Sequence, residues 1–305
     1  MRPIRQALGH HRQAHSTHPL TRPHTMQPTH PNGPTRRRAV AATVLLTCLS
    51  ALQLPLGTAR AQTAPQQTAT AAAPESVLWV GNSFFYYNNS LHGHFGRLVA
   101  SAGGGARVRG VSATISGSGL DWHDMASLLR PNGLGRYSFV GDNEIRFNPP
   151  GRQYDTAVMM DCSQCPIHPQ LQAAFHDTVK KNAHLLRQAG VRPVLFMSWA
   201  YQDKPEMTAQ LAEQYTQAGK ANGAVVIPAG LAFAKAIAKQ PDTVLYENDK
   251  RHPSLAGTYL AACTAYATLF GKSPVGLTYT AGLSADLAAR LQTAAWETVQ
   301  AYAGQ

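Results

Sequence analysis

The chain has 305 residues, a formal net charge of +11 and a basic sequence pI of about 9.7. All 16 acidic residues but only 19 of the 27 basic ones follow position 61, so the chain beyond that position carries a net charge of only +3. It holds no basic stripe with interleaved aromatic residues, which argues against nucleic-acid binding. The 244 residues after position 61 are enough to build one α/β core.

The first 61 residues have the pattern of an N-terminal extension followed by an export signal. Residues 1–35 contain six of the thirteen histidines, several prolines and no acidic residue, a composition that cannot bury a core. Three arginines at 36–38 then precede an apolar run over 39–56 and an Ala-Arg-Ala cleavage pattern that ends at Ala61. We predict cleavage after Ala61 and a periplasmic or secreted product without stable membrane insertion. Sec and twin-arginine export both stay open.

Residues 62–74, QTAPQQTATAAAP, are predicted to be a low-complexity linker, and a single domain is predicted to span 75–305. In that domain, short apolar runs alternate with helical patterns. Strands are predicted at 76–80, 106–116, 156–160, 192–199 and 223–229, and helices near 121–130, 169–189, 206–221 and 230–239. The alternation predicts an α/β fold, a three-layer α/β/α sandwich with a five-stranded parallel sheet. Residues 134–152 interrupt the alternation and are predicted to form a loop or a hairpin.

Ser83 follows the first predicted strand, in the stretch VGNSFFYYNN. Because ligands gather at the carboxyl ends of parallel strands, this serine is expected at that edge of the sheet. Gly81 permits a tight turn and a close approach of the backbone. A serine in this place is also a common helix cap, so Ser83 has two interpretations at this point, a cap and a nucleophile.

A second polar motif, ENDKRHPSLAGTYLAA, contains Asp249 and His252. Their three-residue offset across a turn lets the carboxylate reach one imidazole nitrogen while the other faces outward, and Pro253 suits the first turn of the helix that follows. A serine nucleophile needs such a pair: a base that takes its proton, and a carboxylate that fixes the tautomer of the base. The plainer interpretation makes Asp249 a turn former and His252 a cap.

Three cysteines follow position 61, namely Cys162, Cys165 and Cys263. In an oxidising compartment one pair is expected to form a disulfide, either between the first two cysteines or from one of them to Cys263. The spacing Cys162-Ser-Gln-Cys165 also fits a thiol oxidoreductase, although that activity leaves the serine and histidine motifs unexplained. No second close pair of ligands supports a zinc site.

Taken together, these motifs resemble those of the SGNH, or GDSL-like, hydrolase family over most of residues 76–275. VGNSF matches the first block, with Ser83 at the nucleophile position and Asn82 where better-known versions carry aspartate. TISGSGL resembles the second block. DKRHPS matches the last block, which places Asp249 and His252 at the acid and base positions. The resemblance implies a flavodoxin-like strand order, a Ser-His-Asp triad, and no metal or organic cofactor.

The resemblance also implies an oxyanion hole. The backbone amides of Ser83 and Gly117 would hold the oxyanion, with Gly119 as the alternative to Gly117. The third block departs from the family pattern, because MMDCSQCP has no asparagine after the third strand. Ser163 or Gln164 is expected to supply the third donor in its place. The point matters for rate, since loss of one oxyanion donor costs roughly 100-fold to 1000-fold in turnover.

The sequence therefore predicts an exported serine esterase that hydrolyses an acyl ester, with acetyl as one candidate, on a small molecule or a polysaccharide. Two alternatives stay open. One is transfer of the acyl group to a glycan by the same triad, and the other is a non-catalytic carbohydrate-binding protein with a degenerate oxyanion hole. The acyl length, the leaving group and the oligomeric state are not readable from the sequence.

Overall fold

The structure is a computed structural model that describes residues 72–130, 137–147 and 151–304. The chain separates into two compact units, Met1–Ala64 and Pro65–Gln305, and every described residue belongs to the second. The predicted signal, its cleavage site and most of the predicted linker lie outside the described residues. Within the described ranges, no helix combines the length and the apolar character needed to cross a membrane.

The centre of the domain is a parallel sheet. The described residues form seven strands: β1 Ser76–Gly81, β2 Arg109–Thr114, β3 Tyr137–Gly141, β4 Glu144–Phe147, β5 Thr156–Met159, β6 Arg192–Phe196 and β7 Val225–Ile227. Five of them pair in parallel in the order β2-β1-β5-β6-β7, which is the flavodoxin-like order. Successive residues of a strand point to opposite faces, so the burial of every residue of β5 means that both faces are covered. The predicted α/β fold with five parallel strands is confirmed.

Helices occupy the connections between the strands. The described residues form eight α-helices: α1 Ser83–Tyr86, α2 Leu91–Ser101, α3 Met125–Leu128, α4 Gln172–Gln188, α5 Met207–Asn222, α6 Ala229–Lys239, α7 Leu255–Phe270 and α8 Ala285–Ala303. The continuous helix predicted for 121–130 is wrong. A 3₁₀ turn, Leu120–Trp122, ends before Asp124, whose side chain accepts the N–H of Ser127 and so starts the four-residue α3 afresh.

The start of α7 also differs from the prediction. Ser254 is its N-cap, because the Ser254 side chain accepts the N–H of Gly257, and the helix begins at Leu255. The placement of Pro253 in the first helical turn is therefore wrong, and so is the interpretation of His252 as the cap.

Four strands are shorter than predicted, of which β5 differs least, since it ends at Met159 rather than at 160. β2 spans 109–114 rather than 106–116, β6 ends at Phe196 rather than at 199, and β7 keeps only three of the seven predicted residues. The apolar run after β6 misleads because Met197 and Trp199 are fully buried although they lie beyond the strand. The hydrophobic pattern reports burial. At this edge of the sheet, the buried segment is longer than the paired strand.

The interruption predicted at 134–152 contains an antiparallel hairpin of β3 and β4. Asp142 and Asn143 connect the two strands with φ angles of +41° and +62°, the region that tight hairpin turns need. The hairpin alternative is therefore confirmed.

Candidate active site

Ser83, His252 and Asp249 come together at the carboxyl edge of the sheet. Ser83 is the first residue of α1 and follows the end of β1, whose neighbours are β2 and β5, so it lies where the strand order reverses. His252 Nε2 lies 2.8 Å from Ser83 Oγ, and His252 Nδ1 contacts Asp249 Oδ2. The structure thus joins the three residues that the sequence predicts as nucleophile, base and acid.

Ser83 is not the cap of α1. Asn82 occupies the N-cap position, and its Oδ1 accepts a hydrogen bond from the Phe84 N–H at 3.2 Å. The Ser83 hydroxyl is directed to His252 instead, so the cap interpretation of Ser83 is wrong.

Asp249 shapes the turn that carries His252. Its Oδ1 accepts the backbone N–H groups of Arg251 and His252, both at 2.9 Å, while its Oδ2 contacts the imidazole. Asp249 is therefore a turn former and an imidazole partner at once. Burial raises the pKa of the Asp249 carboxyl, but the hydrogen bonds from the His252 ring and from the two N–H groups outweigh it and lower the pKa to about 2.

The ionised Asp249 carboxylate determines which nitrogen of His252 carries the proton. A carboxylate only accepts hydrogen bonds, so Nδ1 of the neutral imidazole must be the donor. Nε2 is then the acceptor, and it faces the Ser83 hydroxyl. This tautomer is the one a general base needs in order to take the proton of a serine.

Aromatic side chains fix the orientation of the His252 ring. Tyr87 stacks on it with centroids 4.1 Å apart and planes 7° apart, and Phe84 meets it edge-on at 5.5 Å. Phe84 also stacks on Trp199, which stacks in turn on Phe233. The contacts of Phe84 and Tyr87 with the His252 ring are not predicted from the sequence. The signal was present, since Phe84 and Tyr87 belong to the aromatic run directly after the serine.

The loop that carries Asp249 and His252 is anchored at two further points. The Arg251 guanidinium lies 3.9 Å from the centroid of the Tyr201 ring and pairs with the Asp203 carboxylate. In addition, Asn88 Nδ2 donates a hydrogen bond to Pro253 O at 2.8 Å. These contacts join the loop to the segment after β6 and to the segment after α1.

Gly117 lies in a turn beside the end of β1. The Ser118 N–H donates to Ile115 O, and Gly117 at the third position of the turn has a φ of +70°, as a type II turn requires. The turn is held to β1 because the Ile115 N–H and the Ser118 hydroxyl both donate to Gly81 O, at 3.1 and 3.3 Å. Gly117 is exposed, and no atom lies within 4 Å of the position that a Cβ would take. The turn therefore leaves open space around Gly117, next to the strand that leads to Ser83.

Close packing around position 119 explains why this residue is a glycine. A Cβ there would lie 2.4 Å from Asp121 Oδ1 and 3.2 Å from Asp161 Oδ1. Its φ of −78° is ordinary for any residue. Gly117, whose positive φ favours glycine, is thus the better candidate for the second block's oxyanion amide.

Ser163 and Gln164 lie in the loop after β5, between the two cysteines of a Cys162–Cys165 disulfide. The Ser163 hydroxyl shares a 2.6 Å hydrogen bond with the Tyr201 hydroxyl. The Gln164 side chain is exposed and makes no hydrogen bond to the described residues. The third oxyanion donor stays a prediction. The Ser163 hydroxyl is already bonded to Tyr201, whereas the Gln164 side-chain amide is free of hydrogen bonds to the described residues.

The disulfide resolves the pairing that the sequence leaves open. Cys162 and Cys165 are joined with their Cα atoms 5.2 Å apart, and Cys263 is a free thiol buried in α7. Burial raises the pKa of the Cys263 thiol, which disfavours the reactive thiolate. Because α4 begins only at Gln172, the cysteine pair also lacks the position at the start of a long helix that lowers the pKa of redox-active thiols.

No family model and no curated protein matches this chain. Among solved structures, a DUF4886 family protein from Bacteroides uniformis aligns with a TM-score of 0.53 and 19% identity, over 74% of this chain and 94% of that one. A proposed SGNH hydrolase from Slackia heliotrinireducens gives a TM-score of 0.47 and 23% identity, over 64% of this chain and 98% of that one. The acetyl xylan esterase AlAXEase gives 0.47 and 12% identity, over 63% and 98% of the two chains.

At these identities, structural likeness defines the fold and not the activity. The α/β sandwich and its strand order are those that the SGNH, or GDSL-like, resemblance implies. That resemblance is therefore confirmed at the level of the fold.

Proposed function

We propose that the protein is an exported serine esterase that hydrolyses an acyl ester of a small molecule or a polysaccharide. The observation that carries the proposal is the 2.8 Å hydrogen bond between Ser83 Oγ and His252 Nε2, with Asp249 on the opposite imidazole nitrogen. Neither a cap nor a turn requires contact between two side chains 169 positions apart. A nucleophile and its general base do require it.

In the proposed mechanism, Ser83 attacks the acyl carbon of the ester while His252 takes the hydroxyl proton at Nε2. Asp249 stabilises the imidazolium through Nδ1–H. His252 then returns the proton to the leaving alcohol, and the acyl group stays on Ser83. Water attacks the acyl-enzyme with His252 again as the base, and the carboxylic acid and the free serine are formed. This route uses no metal or organic cofactor.

The negative oxygen formed in each step is proposed to bind at the amides of Ser83 and Gly117, with Gln164 or Ser163 as a third donor. Ser83 opens α1, so its N–H has no intrahelical acceptor, and it has none elsewhere among the described residues. A free N–H at the residue that attacks the carbonyl is what an oxyanion hole needs.

The test of the proposal is turnover of an ester panel. The purified protein is expected to hydrolyse at least one of three p-nitrophenyl esters (acetate, butyrate or octanoate) with saturation kinetics, because Ser83, His252 and Asp249 are already in contact in the structure. Initial rates at 405 nm give kcat and KM. The heat-denatured protein is the control for background hydrolysis. Rates that never exceed this control for any ester would refute the proposed activity and favour a protein that only binds.

A further inference from the structure

Asn82 connects three segments of the candidate active site. Its Nδ2 donates hydrogen bonds to Ser118 O at 3.1 Å and to Asp161 O at 3.2 Å, and its Oδ1 accepts the Phe84 N–H. The residue is only 5% exposed, so water has little access to replace these bonds. Both hydrogens of the amide and its oxygen are thus engaged, which fixes the orientation of the side chain.

The two acceptor carbonyls belong to the two loops on either side of β1. Ser118 directly follows Gly117 in the turn after β2, and Asp161 lies in the loop after β5 that carries Ser163 and Gln164. Asn82 itself directly precedes the nucleophile. A single side chain next to Ser83 therefore bonds to the backbone of both loops from which oxyanion donors are proposed.

In this chain, the contacts of position 82 call for an amide, although better-known versions of the first block carry aspartate there. Two backbone carbonyls face the same point, so the side chain must donate two hydrogen bonds there. An ionised aspartate has no hydrogen to donate and would place negative charge against two carbonyl oxygens in a buried site. A protonated aspartic acid would restore one of the two donors.

We propose that Asn82 is a positioning residue for the oxyanion hole, which acts by holding the carbonyls of Ser118 and Asp161 in register with Ser83. The inference rests on the proposed esterase function. We expect Asn82 to affect the rate of acyl transfer rather than the binding of substrate, because the Asn82 side chain is buried behind the nucleophile.

The test compares Asn82→Asp and Asn82→Ala with the wild type by ester hydrolysis between pH 5 and 8. At pH 8, both variants are expected to lose on the order of 100-fold in kcat, with KM changed less than about threefold, as for loss of an oxyanion donor. As the pH falls, the kcat of Asn82→Asp relative to the wild type is expected to rise at least about tenfold, because burial raises the pKa of the new carboxyl and its protonated form donates. The relative kcat of Asn82→Ala is expected to stay constant.

The ratio to the wild type matters because other titratable groups surround Asn82. Those that face its partners from neighbouring elements are Asp161, Asp121, His123, Tyr215 and His252. All of them are present in the wild type and in both variants, so the ratio removes the part of their titration that the substitution does not shift. Asn222→Asp, at the C-terminal end of α5, makes the same change away from the site and is expected to leave kcat unchanged.

Folding is checked at each pH by circular dichroism and thermal unfolding. If Asn82→Asp is unfolded at pH 8, the uncharged Asn82→Ala and Asn82→Ser carry the test. The proposal is overturned if folded Asn82→Ala or Asn82→Ser keeps a kcat within threefold of the wild type. It is also overturned if the pH profiles of Asn82→Asp and Asn82→Ala are parallel. An inactive wild type would instead refute the esterase, whereas an active wild type with unaffected variants would refute the role of Asn82 alone.

Discussion

Ser83→Ala is expected to lower kcat for the best ester substrate by on the order of 10⁶-fold, the loss seen when the nucleophile of a serine hydrolase is removed. The physical reason is that the acyl-enzyme cannot form without Oγ. The fold should persist, because the substitution removes one hydroxyl whose hydrogen bond to His252 contributes about 1 kcal/mol to the free energy of unfolding. Initial rates at saturating ester, with thermal unfolding of the same sample, measure both quantities.

Ser101→Ala is the matched control for this variant. Ser101 ends α2, and its hydroxyl donates only to Leu98 O within its own helix. Its kcat is expected to equal that of the wild type. A Ser83→Ala protein that keeps a tenth or more of the wild-type kcat would contradict the mechanism, since no other group described at the site holds the same relation to His252.

Asp249→Asn is expected to lower kcat by on the order of 10⁴-fold with the fold intact. The amide that replaces Oδ2 can donate to Nδ1, which moves the proton of the neutral imidazole to Nε2. His252 then cannot accept the proton of Ser83. The measurement is kcat for the same ester across pH 5 to 9.

The pKa of Asp249 determines how this loss depends on pH. The pKa is lowered from 3.8 to about 2, so the carboxylate contributes fully above its unfolded value and loses its charge only as the pH falls through about 2. The charge of Asp249 is therefore constant from pH 5 to 9, and the ratio of wild-type to variant kcat is expected to stay far above one across this range. Asp242→Asn removes an exposed carboxylate elsewhere and should leave kcat unchanged. A ratio that collapses toward one at either end of this range would count against the assigned role.

The fold is well predicted from the sequence because four of its five parallel strands contain a short apolar run, whereas β2, with the sequence RGVSAT, is mostly polar. Burial of β1 and β5 on both faces produces such runs directly. Strand ends are less well predicted, since Met197 and Trp199 are buried for reasons of tertiary packing beyond the end of β6. The broken helix near 121–130 follows from a local cap at Asp124 that competes with a continuous helical pattern.

The candidate triad is predicted from the sequence because its residue types and order are specific, even though its members are far apart in the chain. The surroundings of the triad are not. The stack of Tyr87 on His252 and the bonds of Asn82 to carbonyls 36 and 79 positions away depend on how the loops pack. The sequence alone also leaves the disulfide partner of Cys162 open, because only the structure shows that Cys263 is buried in α7.

The central claim is that Ser83 is a nucleophile activated by His252, and active-site labelling tests it most directly. The full chain is incubated with a fluorophosphonate, and the adduct is measured by intact mass and located by peptide mapping. We predict a single phosphonyl adduct on Ser83 that is absent in Ser83→Ala and forms far more slowly in His252→Ala. An unlabelled Ser83 in folded protein, or an adduct confined to another residue such as Ser163, would contradict the account.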